Sequence, residues 1–389
     1  MIRRVRRIMV MSDVHLTTHV RHDGPWLGYR RADLSPDAAI HLAVERALAD
    51  HIPLELVLAG DLFDLDAPPD DAVPSAATYK ASRSEPGAAR TMQRILADHP
   101  RFIAAISRVL RAGGSVVVLP GNHDAQLSFP AVWHVLQAAT VPSPRLVYRS
   151  WFHRSGPVVV EHGHQYDPLC ALDRLFPEWD EDTLRMEDTV SSVATHYGHS
   201  LFGLVNPYAS DPFAVSAEDK PALKACARRV ITDSEALACA LAGFRDVLLS
   251  GRAGTSAEFE PWLSRVAAET SSSRAQLDAH RGLAAPKGDA SLLARSATRK
   301  GDYAADCDER QAEAMRELAA LYRARVVVMG HTHEPFVRSA NGAVFANSGA
   351  WTPPLDRHGP RGSFIDILVD GPQVRHVALR RVLADGSVQ

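Results

Sequence analysis

Cysteine is scarce in this chain, which has four among its 389 residues: Cys170, Cys226, Cys239 and Cys307. None of them forms a Cys-x-x-Cys pair, the spacing typical of zinc and redox sites. The pattern therefore excludes a disulfide framework as the main source of stability. We expect reduced thiols in a cytoplasmic protein.

A long hydrophobic run and a strong net charge are also lacking. No apolar stretch approaches the roughly 20 residues that span a bilayer, so we expect no transmembrane segment. The arginine-rich start leads into an apolar run that Ser12, Asp13 and His15 interrupt, which predicts a first strand rather than an export signal. Peripheral contact of these arginines with a membrane surface is the alternative. The formal net charge of −3 disfavours a chain built to coat nucleic acid.

The chain does contain short β-branched runs that alternate with helical patterns. Buried strands are predicted at 8–11, 54–59, 116–119, 158–160 and 326–329. Helical spacing between the first three predicts a mostly parallel or mixed sheet covered by helices. Residues 66–87, rich in Asp, Pro, Ser and Ala, predict a surface loop. The stretch 167–305 is too long for a structureless loop and has a helical pattern. We therefore expect a domain made of 1–166 and 306–389, with 167–305 inserted as a helical cap or lid.

All five predicted strands end in side chains that bind metals. These are Asp13 and His15, Asp61, Asn122 and His123, His162, and His331 and His333. Residues two apart in an extended segment point to the same side, so each Asp-x-His or His-x-His pair can face one site. Carboxylate and imidazole together favour Mn²⁺, Fe or Zn²⁺. The ligands are too many for one four-coordinate ion and fit two ions roughly 3.5–4 Å apart that share a carboxylate.

The order and spacing of these motifs resemble the calcineurin-like metallophosphoesterase superfamily. The matching motifs are Asp13-x-His15, Gly60-Asp61-x-x-Asp64, Gly121-Asn122-His123-Asp124, His162-Gly163-His164 and Gly330-His331-x-His333. The resemblance covers about 1–165 and 306–389. It implies an α/β fold in which two mixed sheets pack face to face between helices, a four-layer αββα sandwich. It also implies two divalent metal ions as cofactors, with Mn²⁺ as the first choice and Fe or Zn²⁺ as alternatives.

The resemblance further implies a role for each motif residue. Asp13, His15 and His333 would hold one ion, Asn122, His162 and His331 the other, and Asp61 would bridge them. A water or hydroxide activated by the metals would attack phosphorus. His123 would stabilise the transition state or protonate the leaving oxygen, and Asp124 would orient His123. His164, Arg30 and Arg31 are expected to face the substrate, with an ordinary covering role as the alternative.

A further stretch bears on the substrate. Gly330-His331-Thr332-His333-Glu334-Pro335 followed by Asn347-x-Gly349-x-Trp351 resembles the branch of UDP-2,3-diacylglucosamine hydrolases, which cleave a nucleotide–lipid pyrophosphate. The chain departs from that branch in having His123 in place of Arg and a longer insertion. We therefore expect hydrolysis of a phosphodiester or pyrophosphate bond in a small-molecule or lipid-linked substrate. A nuclease of the same superfamily and a non-catalytic metal-binding interaction scaffold are the alternatives. The sequence predicts no oligomeric state.

Overall fold

The computed structural model describes residues 5–21, 27–68, 74–180, 182–198, 220–221, 224, 234–249, 257–284, 300–351, 362–383 and 387–389. No disulfide forms among the three described cysteines, Cys170, Cys239 and Cys307. The fourth, Cys226, and large parts of the predicted 167–305 insertion lie outside the described residues.

Two mixed sheets carry the fold. The strands are β1 Val5–Met11, β2 Leu54–Ala59, β3 Ser115–Leu119, β4 Leu146–Tyr148, β5 His153–Ser155, β6 Val158–Val160, β7 Glu178–Asp180, β8 Thr183–Arg185, β9 Val326–Met329, β10 Phe336–Ala340, β11 Ala343–Asn347, β12 Gly362–Asp370 and β13 Gln373–Val382. One sheet has the order β13-β12-β1-β2-β3-β4, and the other has the order β10-β11-β9-β6-β5. Strands β7 and β8 form a separate hairpin.

The five strands predicted to be buried correspond to β1, β2, β3, β6 and β9. Strands β1, β2 and β3 run parallel to one another in the first sheet, and β6 and β9 run parallel in the second. Because parallel strands end at the same edge of a sheet, the polar loops that follow them are gathered there.

Helices cover the outer faces of both sheets. They are α1 Asp37–Ala49, α2 Ala76–Ser82, α3 Glu85–Asp98, α4 Pro100–Arg111, α5 Pro130–Ala139, α6 Val190–Val193, α7 Ser234–Leu249, α8 Phe259–Thr270, α9 Arg274–Arg281 and α10 Lys300–Tyr322. A π-helical turn, Ala194–Gly198, continues α6. Over the described part of the chain, every helix is too short or too polar to cross a membrane.

The strands are apolar on both faces because both faces are covered. In β1, Ile8 and Val10 belong to the core between the two sheets, whereas Met9 and Met11 belong to the core under the helices. This alternation follows from the two-residue repeat of a strand. The second sheet is covered by α10, whose Met315 packs in the same outer core. The predicted four-layer αββα sandwich is therefore confirmed.

The region 66–87 differs from the predicted surface loop. Helix α2 lies within it and begins with a capping box between Ser75 and Thr78. After the helix, Arg83 forms a fully buried ion pair with Asp66 at 2.5 Å. This helix and ion pair were not predicted from the small and polar residues of the region. Their stability comes from a helix cap and a long-range ion pair, and neither produces an apolar periodicity in the sequence.

The stretch 167–305 is divided in the structure. Its first part contains the β7–β8 hairpin, α6 and the π-helical turn, and α6 packs with α7 around Val193 and Ala240. Helix α8 instead joins the core of the sandwich, where Trp262 stacks on Trp151 at 5.8 Å between ring centroids. The expected boundary at 305/306 falls inside α10. Part of this stretch is thus a covering layer of the sandwich, and the cap or lid remains a prediction.

Candidate metal centre

The five polar loops meet at one edge of the sandwich, where their ligand atoms form three overlapping groups. The groups are Asp13, His15 and His333; Asp61, His162 and His331; and His15, Asp61 and His123. Within each group, one ligand atom per residue lies within 4.8 Å of the others. The structure therefore brings together the residues that the sequence predicted as metal ligands.

The first metal position is the group formed by Asp13, His15 and His333. Nε2 of His333 lies 3.2 Å from Oδ1 of Asp13 and 3.2 Å from Nε2 of His15. The distance from His15 Nε2 to the same Asp13 oxygen is 3.9 Å. Two imidazole nitrogens and a carboxylate oxygen thus converge on one point, as they would around a cation.

The second candidate metal position is the group formed by Asp61, His162 and His331, and Asn122 directly precedes His123, whose N–H donates to Asp61. Nε2 of His162 lies 3.1 Å from Oδ2 of Asp61, but it makes no aligned hydrogen bond. Oδ1 of Asn122 is also buried and has no hydrogen-bond partner among the described residues. Buried polar atoms without partners are costly, and a bound cation would satisfy both. The donor set therefore fits a divalent metal.

Three of the imidazoles contact a further residue through one ring nitrogen. His15 Nδ1 lies 2.8 Å from Oδ1 of Asp64, and His162 Nδ1 lies 2.8 Å from the carbonyl oxygen of Ala59. Nε2 of His331 lies 3.0 Å from Oδ2 of Asp167. Such partners fix the ring orientation and raise the basicity of the atom that faces a metal.

The charges of the cluster favour positive occupants. Burial alone would raise the pKa of Asp13, but the nearby His162 and His333 lower it to about 2. Burial lowers the pKa of His162, but the carboxylates of Asp61 and Asp13 raise it to about 10. The same field attracts protons and metal ions, so metal affinity should rise with pH as the imidazoles lose their protons.

The loop backbone differs from the extended conformation that the sequence predicted. Asp13, His15, Asp61, His331 and His333 all have positive φ, between 51° and 71°. The members of a two-residue pair therefore do not share a face through strand geometry. His331 joins the second position and His333 joins the first, because left-handed residues turn the chain between them.

His123 stands beside the cluster. Its imidazole lies 5.1 Å from that of His15 between ring centroids, and its backbone N–H donates to Oδ1 of Asp61 at 2.8 Å. Nδ1 of the ring lies 3.3 Å from Oγ1 of Thr195. Burial lowers the pKa of His123, and the charge of Asp61 opposes this shift.

Asp124 connects two loops of the site. Its carboxylate accepts hydrogen bonds from the backbone N–H groups of Gly121 at 2.6 Å, Leu62 at 2.7 Å and Asp61 at 3.2 Å. Burial and the charge of Asp61 raise its pKa to about 7. Asp124 thus ties the loop after β2 to the loop after β3, and its expected role in orienting His123 stays a prediction.

Of the residues predicted to face the substrate, Arg30 and Arg31 lie in the loop after β1, and His164 lies in the loop after β6. Arg30 is 2% exposed and donates to the carbonyl oxygens of Thr18 at 3.0 Å and Pro68 at 3.4 Å, so it fastens the covering loop. Arg31 pairs with Asp33 at 3.0 Å. Both arginines line a cavity of about 10 Å³ beside His15, room for about one water. His164 is buried, and its ring lies 5.3 Å from that of His162.

Four residues that the sequence analysis missed also reach the site: Asp167 and Cys170, which form a group with His331, and Ser191 and Thr195. The hydroxyl of Ser191 accepts a hydrogen bond from Nδ2 of Asn122 at 3.0 Å. Asp167 lies close behind the His162-Gly163-His164 motif in the sequence, and this proximity could have marked it as a candidate site residue. Ser191 and Thr195 carry no such signal, since they lie in a stretch without a motif.

The chain belongs to the calcineurin-like phosphoesterases, because the model of that family matches residues 6–224, more than half of the chain. The family hydrolyses phosphoesters with the help of divalent metals, in agreement with the ligand groups described above. No curated protein matches the chain.

Several solved structures are similar to parts or all of the chain. A Vps29 variant from Entamoeba histolytica has 25% identity and a TM-score of 0.16, and the alignment covers 20% of this chain and 43% of that one. The chain thus spans less than half of this relative. A predicted phosphoesterase from Streptococcus pneumoniae has 8% identity, coverage of 99% and 93%, and a TM-score of 0.29. A cold-active protein tyrosine phosphatase has 12% identity, coverage of 99% and 78%, and a TM-score of 0.28.

Proposed function

We propose that this chain is a two-metal phosphoesterase that hydrolyses a phosphodiester or pyrophosphate bond. The observation that carries the proposal is the pair of ligand groups, one around Asp13 and one around His162, joined through the buried carboxylate of Asp61. When bound, two divalent cations would neutralise charge on the phosphoryl oxygens and lower the pKa of a water molecule. Membership of the phosphoesterase family supports the same reading.

The ligand roles follow the geometry. We assign Asp13, His15 and His333 to one ion and Asn122, His162 and His331 to the other. Asp61 stands between them, since it is grouped with His15 and also with His162. Mn²⁺ is our first choice and Fe or Zn²⁺ are alternatives, because imidazole and carboxylate ligands suit all three.

His123 is the residue of the chain that we expect to act on the substrate. Thr195 lies at Nδ1 of the ring, so we assign the substrate to Nε2. From there the imidazole would donate a hydrogen bond to a phosphoryl oxygen or pass a proton to the leaving oxygen. Its backbone N–H is anchored on Asp61, which keeps the ring beside the metal positions.

The site determines the class of substrate less closely than it determines the proposed metal ligands. Asn347, part of the stretch that resembles the UDP-2,3-diacylglucosamine hydrolases, donates to the carbonyl oxygen of Gly330 at 2.8 Å, and Trp351 donates its backbone N–H to the carbonyl of Asp13 at 2.9 Å. Both residues thus support ligand loops. We propose a small-molecule or lipid-linked diester or pyrophosphate. A cytoplasmic location, based on the cysteine pattern, stays a prediction.

The proposal is tested by metal content and by hydrolysis with added Mn²⁺. The substrates are p-nitrophenyl phosphate, bis-p-nitrophenyl phosphate, a nucleotide pyrophosphate and single-stranded DNA. We expect the purified protein to bind two ions and to cleave the diester or pyrophosphate faster than the monoester. His123→Ala should lower kcat by about 10²-fold or more, the usual effect of losing an acid or an oxyanion donor.

The matched control is His376→Ala, which removes an exposed imidazole on β13 and should leave the rate unchanged. Equal rates for His123→Ala and the parent would contradict the role of His123. Metal binding without hydrolysis of any substrate would favour an interaction scaffold. Cleavage of DNA with a steep salt dependence would favour a nuclease.

A further inference from the structure

The segment 167–198 lies against the second metal position. Asp167 contacts His331 at 3.0 Å, and Ser191 contacts Asn122 at 3.0 Å. Both of these partners are proposed ligands of the second ion. By contrast, Asp64, the partner of the first-position ligand His15, comes from the loop after β2, within the sandwich.

The contact of Ser191 holds the Asn122 amide in place. In the structure the Ser191 hydroxyl accepts from Nδ2 at 3.0 Å. That leaves Oδ1 of Asn122, which is buried and has no hydrogen-bond partner in the described part of the chain. Only this oxygen can bind a metal ion, because the nitrogen of an amide is a donor. Ser191 therefore holds Asn122 in the orientation that a metal requires.

Asp167 acts on the other ligand in a comparable way. Its carboxylate lies 3.0 Å from Nε2 of His331, a residue that is grouped with Asp61 and His162. The backbone N–H of His331 donates to the carboxylate of Asp13 at 3.0 Å. The ring is thus fixed from two sides, and one of them is the segment 167–198.

The two ends of the segment are held differently. Leu172, Phe176 and Met186 pack in the main core, whereas Val190, Val193 and Tyr197 belong to a separate cluster. His196, in this last part, lies 3.0 Å from the carbonyl oxygen of Asp66 and 3.0 Å from the hydroxyl of Thr78. Because residues 190–197 pack outside the main core, we expect their local opening to cost less than unfolding of the sandwich.

We propose that Asp167 and Ser191 are positioning residues that make the affinity of the second metal position depend on docking of the segment 167–198. The two events are then linked, so the second ion must stabilise the docked segment as much as the docked segment strengthens binding of the ion. Asp64, the partner of the first-position ligand His15, lies outside this segment. This inference rests on the proposed function, since it requires two ions to bind.

The test measures Mn²⁺ binding to the parent protein, Ser191→Ala and Asp167→Asn by elemental analysis and by titration. The parent should bind two ions. Each variant should keep the affinity of the first ion and lose about 10–100-fold in affinity for the second, the usual effect of removing a partner of a metal ligand. The electron paramagnetic resonance signal of a coupled Mn²⁺ pair should weaken in parallel. Ser191→Thr, which keeps the hydroxyl, should restore the second ion.

Asp182→Asn is the matched control, because it removes an exposed carboxylate from the same stretch and should leave both affinities unchanged. Hydrogen exchange on the parent protein gives an independent measurement that needs no variant. Adding Mn²⁺ should slow exchange of the amides in 185–198, and filling the first position alone should not.

The inference would be overturned if Ser191→Ala and Asp167→Asn bound both ions with the affinities of the parent protein. It would also be overturned by exchange in 185–198 that does not respond to the second ion, and this measurement decides the matter if the variants do not fold. A parent protein that binds no metal would instead overturn the proposed function. The two failures are therefore distinguishable.

Discussion

The proposed metal ligands adopt a backbone conformation that L-residues avoid. Asp13, His15, Asp61, His331 and His333 have positive φ, which costs on the order of 1–3 kcal/mol at each non-glycine residue. Hydrogen bonds between the loops hold them there: Asp13 donates its N–H to Gly60 at 3.1 Å, and His15 donates to Asp61 at 3.0 Å. The ligands are thus preorganised by their own backbone, and the strain is concentrated where metal binding is proposed.

Gly121 offers a test of this preorganisation. A Cβ atom at this position would lie 2.1 Å from Oδ1 of Asp61 and 2.5 Å from its backbone nitrogen, so a methyl group cannot fit unless Asp61 moves. Since Asp61 is the residue shared by both metal positions, Gly121→Ala should weaken both ions at least about tenfold. It should also destabilise the fold by about 1–3 kcal/mol, as overpacking usually does. Metal titration and urea unfolding measure the two effects.

Gly282→Ala is the control for the Gly121 variant. Its added Cβ would lie 3.2 Å from the carbonyl oxygen of Ala279, a tight but adjustable contact within the end of its own helix, so metal affinity should not change. Undiminished metal binding by Gly121→Ala would show that the loop after β2 is less rigid than we infer.

At this scale the sequence indicated residues that the structure brings together, but not the residues that support them. Asp13 and His333 were found because a motif places them at strand ends. Ser191 was not found, because a serine gains its role only from the fold that brings it to Asn122. The left-handed backbone at His15 was not predicted either, since positive φ is uncommon in every residue except glycine, and the enrichment of histidine there is too weak to predict a single position.

At the scale of elements, a buried polar contact joins the two sheets. Glu55 lies on β2 and accepts from Arg6 of β1 at 2.8 Å. It also contacts two residues of β5 in the other sheet, His153 at 2.6 Å and Ser155 at 2.8 Å. Removing the carboxylate charge would leave several buried or half-buried donors with poorer partners.

We predict that this network makes stability depend on pH. Burial raises the pKa of Glu55, but the hydrogen bond and charge of His153 lower it more, so the pKa lies below its ordinary value of 4.5. A depressed carboxyl pKa stabilises the folded state above the unfolded pKa, and this stabilisation is lost as the pH falls through the folded pKa. Glu55→Gln should cost about 1–3 kcal/mol at pH 7, and the cost should shrink below about pH 4.5. Urea unfolding at pH 7 and pH 3.5 measures it.

The control for Glu55 is Glu45→Gln, whose carboxylate is 36% exposed and pairs with Arg108 at the surface. An exposed pair contributes little, so the change should be below about 1 kcal/mol and nearly independent of pH. A cost for Glu55→Gln that is equal at both pH values would contradict the proposed origin of the pH dependence.

The elements differ in how well their sequences reveal them. Strands β1, β2, β3, β6 and β9 were predicted, because β-branched runs that are buried on both faces leave a continuous apolar signal. The β7–β8 hairpin was not, since Glu178 and Arg185 pair without such a run. The packing of Trp262 on Trp151 was not predicted either, because helical periodicity shows that a face is buried but not what covers it.

At the scale of the whole molecule, the metal positions join parts of the chain that are far apart in sequence. The loops after β1, β2 and β3 extend from one sheet, and those after β6 and β9 extend from the other. His162 and Asp61 therefore belong to different sheets, as do His333 and Asp13. Ions bound at this edge would cross-link the two sheets of the sandwich in the folded state only.

This cross-link predicts that metal stabilises the folded protein. An ion at 100 times its Kd adds about 2.7 kcal/mol when it binds the folded state alone. Two such ions should raise the Tm of a chain of this size by about 6 °C. Differential scanning calorimetry with Mn²⁺, and then with excess chelator, measures the rise and its reversal.

Asp61→Asn separates this mechanism from a general effect of salt. Because Asp61 is grouped with ligands of both positions, its loss should remove most of the rise in Tm, whereas Asp182→Asn should keep all of it. The comparison is made within each variant, with and without Mn²⁺, so a change in the stability of the metal-free protein does not enter. A full rise in Asp61→Asn would mean that Mn²⁺ binds elsewhere on the folded chain, and the proposal that one carboxylate serves both ions would fail.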